Sequence, residues 1–195
     1  MLSWHEASRA LIGAWRLARL DRAAMSWFEC TVPGAIHSFW AAAICYPGFV
    51  ALLVLRLDPA RIQALGLSRI LLVETIGYVV GWTAYPLCAL PFCRWLTRED
   101  KALGFIVAYN WAQVLQTGLL LALALFSMVA PISITAAAYI EALAYLALLI
   151  YEWFIASIAL EAGGLAATAL VLLDVVLGAS LLQITQLVAG QTPAG

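Results

Sequence analysis

Charged side chains are scarce in this sequence. Of 195 residues, 10 are Lys or Arg and 11 are Asp or Glu, so that 11% are charged, against about a quarter in soluble domains. Hydrophobic residues make up 65%, and the mean hydropathy is +0.98. This balance excludes an ordinary soluble domain and indicates a polytopic membrane protein. The net charge of −1 supplies no basic surface, so no nucleic-acid partner is expected.

The sequence also lacks the motifs of common catalytic and metal sites. It contains no HExxH, GxSxG, Walker loop or glycine-rich dinucleotide turn. The two histidines, His5 and His37, fall on different segments, and none of the four cysteines forms a CxxC pair. Neither a metal nor another cofactor is therefore predicted. An enzyme is not expected, although chemistry by Glu or Asp stays open.

Five apolar segments are long enough to cross a bilayer, which takes a helix of about 20 residues. Pro59 follows the first segment, Pro131 starts the fourth, and Gly163-Gly164 separates the fourth from the fifth. Backbone groups in lipid must be hydrogen-bonded internally, which favours helices. We therefore predict an all-α, polytopic membrane helix bundle over residues 31–195. Its predicted spans are 35–57, 69–92, 102–127, 132–160 and 164–189.

Residues 1–30 form a separate region, predicted to be an amphipathic helix lying in the membrane interface. Apolar residues recur in it every three or four positions, and arginines fall on the opposite side. That pattern is typical of helices that bind anionic lipid headgroups and use Trp as anchors. The alternative is that this helix packs on the cytoplasmic ends of its own spans, and both can hold. The predicted lipid-interface residues are Trp4, Arg9, Trp15, Arg16 and Arg19.

The basic residues predict an orientation. Seven Lys and Arg lie on the N-terminal side of the spans, against three on the opposite side. Positive charge is enriched in cytoplasmic loops. We therefore expect the inner (cytoplasmic) membrane of a cell, with the N-terminus cytoplasmic and the C-terminus external or periplasmic.

The third span carries a stripe of polar residues within a strongly apolar segment. Asn110, Gln113 and Thr117 follow i, i+3 and i+7, and Gln116 flanks them. A stripe facing lipid would leave amide groups without partners, at a cost of several kcal/mol. We therefore expect the stripe to face inward, either to hydrogen-bond other helices or to line a water-filled cavity.

Four carboxylates also fall within the spans. Glu74 lies about one turn into the second span, and Glu141 and Glu152 share nearly the same face of the fourth, with Tyr145 between them. Asp174 sits near the middle of the fifth span, where insertion of Asp costs about 2.5 to 3.5 kcal/mol. Such residues either line a proton or cation path or form a polar network that fixes helix register.

Gly77 and Gly81 form a GxxxG pair in the second span. This spacing lets two helix backbones approach closely. The pair is predicted to mediate helix packing, either within the protein or in a dimer.

Three short stretches carry a family resemblance. They are GAIHSFWAA at 34–42, the following Tyr-Pro at 46–47, and Tyr-Asn-Trp at 109–111. With an amphipathic N-terminus and five closely spaced spans, the chain resembles the Yip1-like membrane proteins and small uncharacterised bacterial inner-membrane proteins of this shape. The resemblance implies a membrane-organising or trafficking-type adaptor, and it assigns a role to no individual residue.

Two functions are consistent with these observations. The first is a non-enzymatic integral membrane scaffold or accessory subunit, whose GxxxG face or N-terminal helix meets a membrane-protein partner. The second is a small transporter or channel, homo-oligomeric because five spans make a small bundle. Its proton- or cation-linked path would be lined by the intramembrane carboxylates.

Overall fold

A computed structural model describes residues 3–130 and 132–190 of the protein. This part of the chain contains eight α-helices, one 3₁₀ helix and no strand. Pro131, which we expected to begin the fourth span, lies outside the described residues. The helices are α1 (Trp4–Ala18), α2 (Val32–Ser38), α3 (Trp40–Leu55), α4 (Pro59–Leu65), α5 (Leu67–Trp95), α6 (Glu99–Val129), α7 (Ile134–Ala159) and α8 (Gly164–Ala189), with the 3₁₀ helix at Arg22–Trp27.

Five helical segments of this chain are long and apolar enough to cross a membrane. They are α5, α6, α7, α8 and the combined α2–α3 segment, Val32–Leu55. The prediction of an all-α bundle with five spans is thus confirmed, and the chain is a multi-pass membrane protein.

The connections between spans are short and have local causes. Asp58 accepts a hydrogen bond from the backbone N–H of Ala60, and Pro59 occupies the first turn of α4, so this break starts a short helix rather than a loop. Between α7 and α8, Glu161 adopts a φ of 49° and Gly163 is the N-cap of α8. The chain therefore reverses there, and α7 and α8 run antiparallel side by side.

Four spans close into a ring, and the first span lies outside it. Around the ring, α5 packs on α8, α8 on α7, α7 on α6, and α6 on α5. The α3 helix packs along α6. A Cβ at Gly48 of α3 would lie 2.9 Å from Thr117 Cγ2 of α6, so the glycine permits this close approach.

The N-terminal helix is shorter than predicted. It ends at Ala18, Leu20 adopts a φ of 60°, and the chain continues as the 3₁₀ helix rather than as one helix through residue 30. The helix docks against α6 and α7, and the Tyr151 hydroxyl donates a 2.8 Å hydrogen bond to the Ala14 carbonyl. Its buried residues are small ones and a leucine: Ala7, Ala10, Gly13, Ala14 and Leu17.

The aromatic residues of α1 do not join this packed side. Trp4 is 87% exposed and Trp15 is 58% exposed. The apolar residues of α1 therefore form two groups. The small side chains let α1 approach α6 closely, while the large indole rings stay outside the contact. The helix packs on its own spans and leaves both Trp rings available to lipid.

Candidate functional site

Two carboxyl groups meet inside the ring of four helices. Glu152 of α7 is buried, and the half-buried Asp174 of α8 lies next to it. Glu152 precedes the end of α7 by seven residues and Asp174 follows the start of α8 by ten. At about 1.5 Å per residue, they lie roughly 10 and 15 Å from the same end of the hairpin. The antiparallel pairing of α7 and α8 therefore brings them together.

Tyrosines from α5 and α6 lie next to this carboxyl pair. The Tyr109 hydroxyl donates a 2.7 Å hydrogen bond to Asp174 Oδ1. The ring centroids of Tyr85 and Tyr109 are 4.3 Å apart, and the Tyr85 hydroxyl donates to the Leu170 carbonyl at 3.4 Å. Side chains from all four helices of the ring thus converge on one polar cluster.

The amide of Gln116 faces Glu152 from α6. Glu152 Oε2 and Gln116 Nε2 are both buried and have no hydrogen-bond partner among the described residues. Such orphaned atoms are costly in an apolar interior. The cluster consequently has unused hydrogen-bonding capacity beside the carboxyl pair.

The structure separates the four intramembrane carboxylates into two groups. Glu74 forms a 3.0 Å ion pair with Arg61 of α4, and Glu141 lies 3.6 Å from Arg56. Both basic partners come from the turn region after α3, at the end of the bundle opposite α1. Glu74 and Glu141 are therefore neutralised at that end. Tyr145 is more than half exposed.

The residues of the polar stripe on α6 contact two different regions of the bundle. Asn110 is fully buried and its Nδ2 donates a 2.8 Å hydrogen bond to Ser38 Oγ of α2. Gln113 and Thr117 instead line an open cleft. The inward-facing stripe thus supplies an interhelical bond at one position and a cleft wall at the others.

The cleft has a volume of about 360 Å³ and reaches Asp174. Five aromatic side chains from α3, α5 and α6 line it, along with aliphatic residues and two glycines. Its lining residues are Phe49, Leu52, Tyr78, Gly81, Trp82, Tyr85, Tyr109, Gln113, Thr117, Leu120, Asp174, Leu177, Gly178 and Leu181. No Lys or Arg is among the described residues that line it.

The glycine pair of α5 packs against α8 within the same chain. A Cβ at Gly77 would lie 2.5 Å from Thr185 Cγ2, and one at Gly81 would lie 3.5 Å from Leu181 Cδ1. Of the two predicted uses of this pair, the structure shows the internal one.

The arginines within α1 and at its C-terminal end differ in their contacts. Arg16 pairs with Asp21 at 2.5 Å and lies 5.4 Å from the ring centroid of Trp27. Arg9 reaches the Ser26 carbonyl at 3.4 Å, whereas Arg19 is exposed.

The hydrogen bond from the Ala23 backbone N–H and the Arg16 guanidinium lower the pKa of Asp21 below its ordinary value. Asp21 therefore keeps its negative charge, and Arg16 keeps its partner, across the neutral range.

Sequence reasoning missed the two tyrosines of the site. Tyr109 entered the sequence analysis only through a family resemblance, and Tyr85 did not enter it. The signal was available for Tyr109, because it precedes Gln113 by four residues and so shares the polar face of α6. For Tyr85 no such spacing exists, since the rest of the cluster lies on other helices.

No group of three or more His, Cys, Asp or Glu side chains among residues 3–130 and 132–190 is arranged to hold a metal ion. Comparisons with protein-family models, with curated proteins and with solved structures give no match to this chain.

Proposed function

We propose that this protein is a small membrane carrier or channel in which the Glu152–Asp174 pair binds and releases a proton. The observation that carries the proposal is the meeting of two carboxyl groups from adjoining helices inside the bundle. Among the described residues, the polar groups around the pair are tyrosines and an amide, with no cation. Asp174 also borders an open cleft, which gives the pair a route to the outside of the bundle.

The chemistry of the pair favours a bound proton. Two negative charges side by side in a low-dielectric region repel strongly, and desolvation penalises both. One proton held between them removes one charge and supplies a donor for the free oxygen of Glu152. Loss of that proton leaves two adjacent negative charges inside the bundle, which is the state that repulsion and desolvation disfavour.

Infrared spectroscopy of the intact protein in lipid nanodiscs tests the proton. We expect the carbonyl stretch of a protonated carboxylic acid at neutral pH, fading as the pH is raised. The double variant Glu152→Gln with Asp174→Asn should remove this band, because neither carboxyl of the pair then remains. Glu141→Gln is the matched control and should leave it, because Glu141 pairs with Arg56 away from the cluster. A wild-type spectrum without the band at neutral pH contradicts proton binding by the pair.

Proton flux tests the transport role separately. Proteoliposomes with a trapped pH dye and an imposed pH gradient should lose the gradient faster with the wild-type protein than when empty. Glu152→Gln, inserted at the same level, should match empty vesicles. Equal rates for wild-type and empty vesicles overturn the path.

A scaffold or accessory subunit is the second candidate function. The hydrogen bond between Asn110 and Ser38 supports it, because this fully buried contact joins α2 to α6. Native mass spectrometry after mild-detergent purification from the source membrane separates the candidates. A stoichiometric second protein supports the subunit, whereas the chain alone or as a homo-oligomer supports the carrier. A relation to Yip1-like proteins would favour the subunit and stays a prediction.

The orientation and the lipid contacts belong to the same proposal. We propose an inner-membrane location with α1 and the α5–α6 and α7–α8 turns on the cytoplasmic side, where Arg19 and the exposed Trp4 and Trp15 meet anionic headgroups. In a cysteine-free variant carrying Arg19→Cys, an impermeant maleimide added to intact cells should not react. Reaction without membrane disruption would reverse the orientation.

A further inference from the structure

The cleft beside Asp174 combines three features that together specify a ligand. It is mostly apolar, five aromatic side chains line it, and its one described charged group is a carboxyl. Its volume of about 360 Å³ falls within the range of about 300 to 1,000 Å³ typical of small-molecule sites. The chemical class of ligand must satisfy all three.

The aromatic side chains of the wall are held in place by contacts with one another and with the backbone of α3. Phe49 of α3 and Tyr78 of α5 have ring centroids 4.5 Å apart, and Tyr78 and Trp82 are 6.0 Å apart. The Tyr78 hydroxyl donates a 2.7 Å hydrogen bond to the Ala42 carbonyl, which fixes this ring between α3 and α5. The wall is therefore formed before a ligand arrives, and binding need not order it.

The electrostatics of the cleft determine which sign of charge its ligand carries. The faces of aromatic rings carry negative potential and attract cations, most strongly for Trp. Asp174 adds a carboxylate at the same cleft, and no Lys or Arg among the described lining residues opposes it. An anion would meet repulsion, and a neutral solute would leave the carboxyl without compensation.

We propose that the cleft binds a hydrophobic organic cation, such as a quaternary ammonium with an aromatic substituent. This inference rests on the proposed function, because the cation and the proton would share Asp174. A cation seated against Asp174 supplies the charge that the proton otherwise supplies. Bound cation and bound proton therefore exclude one another, and each can drive the release of the other.

The competition predicts how affinity depends on pH. The titratable groups facing Asp174 are Tyr85 from α5, Tyr109 from α6, and Tyr145 and Glu152 from α7. The tyrosines stay neutral near pH 7, so the carboxyl pair is the group whose proton the cation displaces. Cation affinity should consequently rise as the pH is raised.

Isothermal titration of the full chain in lipid nanodiscs, with benzyltrimethylammonium as the probe, tests the inference. We expect saturable binding that strengthens with pH and releases protons into the buffer. Two probes of matched shape control for charge. Neopentylbenzene replaces the nitrogen by carbon, and benzenesulfonate carries the opposite charge. Neither should bind with comparable affinity, and equal binding of neopentylbenzene would show an apolar or lipid-binding cleft and overturn the proposal.

Paired variants locate the binding to the cleft. Asp174→Asn keeps an oxygen that can accept from Tyr109, so the fold is retained, and it should weaken the cation about tenfold or more because the charge is lost. Trp82→Leu should weaken it about fivefold to tenfold through the lost cation–π contact. The controls are Glu141→Gln and Trp95→Leu, which change a carboxylate and an indole outside the cleft and should leave affinity unchanged.

The outcomes separate this inference from the proposed function. Saturable cation binding that Asp174→Asn and Trp82→Leu both weaken supports the ligand class. No binding to a protein that still shows the protonated carboxyl band overturns the ligand class and leaves proton binding intact. Cation binding without that band or any release of protons overturns the linkage.

Discussion

The Tyr109 hydroxyl lies 2.7 Å from Asp174 Oδ1, and this hydrogen bond joins the middle of α6 to the middle of α8. Tyr109 is almost completely buried, so few other partners are available to its hydroxyl. The bond consequently ties the position of the carboxyl pair to the packing of the bundle.

Removing this hydroxyl should cost measurable stability. We expect Tyr109→Phe to lower the free energy of unfolding by about 1 kcal/mol, the usual size of a hydrogen bond between membrane helices. Equilibrium unfolding in mixed detergent and denaturant measures the difference. Tyr139→Phe is the control, because Tyr139 is largely exposed on α7 and its hydroxyl should contribute nothing. Equal stability of both variants and the wild type would contradict a structural role for the Tyr109 bond.

The ion pair between Arg61 and Glu74 should matter more than the one between Arg56 and Glu141. Both side chains of the first pair are largely buried, whereas about half of each is exposed in the second. Arg61→Met leaves a buried carboxylate without its partner and should cost about 3 kcal/mol. Arg56→Met should cost less than about 1 kcal/mol, because exposed pairs are weak.

A double variant separates the value of this buried pair from the cost of an orphaned charge. Arg61→Met combined with Glu74→Met should recover most of the loss, because no buried charge then remains. The same unfolding experiment measures all three variants. A double variant no more stable than Arg61→Met would show that the pair itself holds α4 against α5.

The contact between α5 and α8 predicts a substitution and its rescue. Gly77→Ala places a methyl group 2.5 Å from Thr185 Cγ2 and should cost about 1 to 3 kcal/mol through overpacking. Adding Thr185→Ser removes that methyl and should restore much of the stability. The matched control is Gly118→Ala, whose new methyl meets no atom within 4 Å. A loss at Gly77 that Thr185→Ser does not relieve would place the crowding elsewhere.

The contact between Arg16 and Asp21 predicts a pH dependence at the N-terminal helix. The pKa of Asp21 is lowered in the folded protein, so the contribution of this group is fully present above the ordinary Asp pKa of about 3.9 and is lost as the pH falls through the lower folded value. Arg16→Gln should raise the pKa of Asp21 only part of the way, because the larger cause, the Ala23 N–H, remains. Carboxyl chemical shifts followed by NMR measure both values, and an unchanged pKa in the variant would exclude the arginine as a cause.

The spans were predictable because composition and length determine them. Residues 69–92 and 102–127 were expected as helices, and α5 and α6 include both ranges. The partners of the carboxylates were not predictable in the same way. That Glu74 meets Arg61 and Glu152 meets Asp174 depends on which helices adjoin and at what height. A sequence pattern gives the face of one helix but not the identity of its neighbour.

The N-terminal helix also shows what a sequence pattern leaves undetermined. Its amphipathic spacing was visible, but an aromatic residue and an alanine score alike as apolar in a periodic pattern. Close packing distinguishes them, since Ala14 touches the bundle while Trp15 stays outside. The pattern therefore gave a helix with an apolar side and left open which apolar residues would be buried.

Tyr151 and Glu152 are consecutive residues of α7 that contact two different helices. Tyr151 holds the backbone of α1 through Ala14, and Glu152 faces the carboxyl of Asp174. A rotation or axial shift of α7 that alters one contact must alter the other, because both belong to a single turn of a rigid helix. The position of α1 is thereby coupled to the interior of the bundle. A lipid or protein that binds α1 would therefore change the surroundings of the buried carboxyls without contacting them.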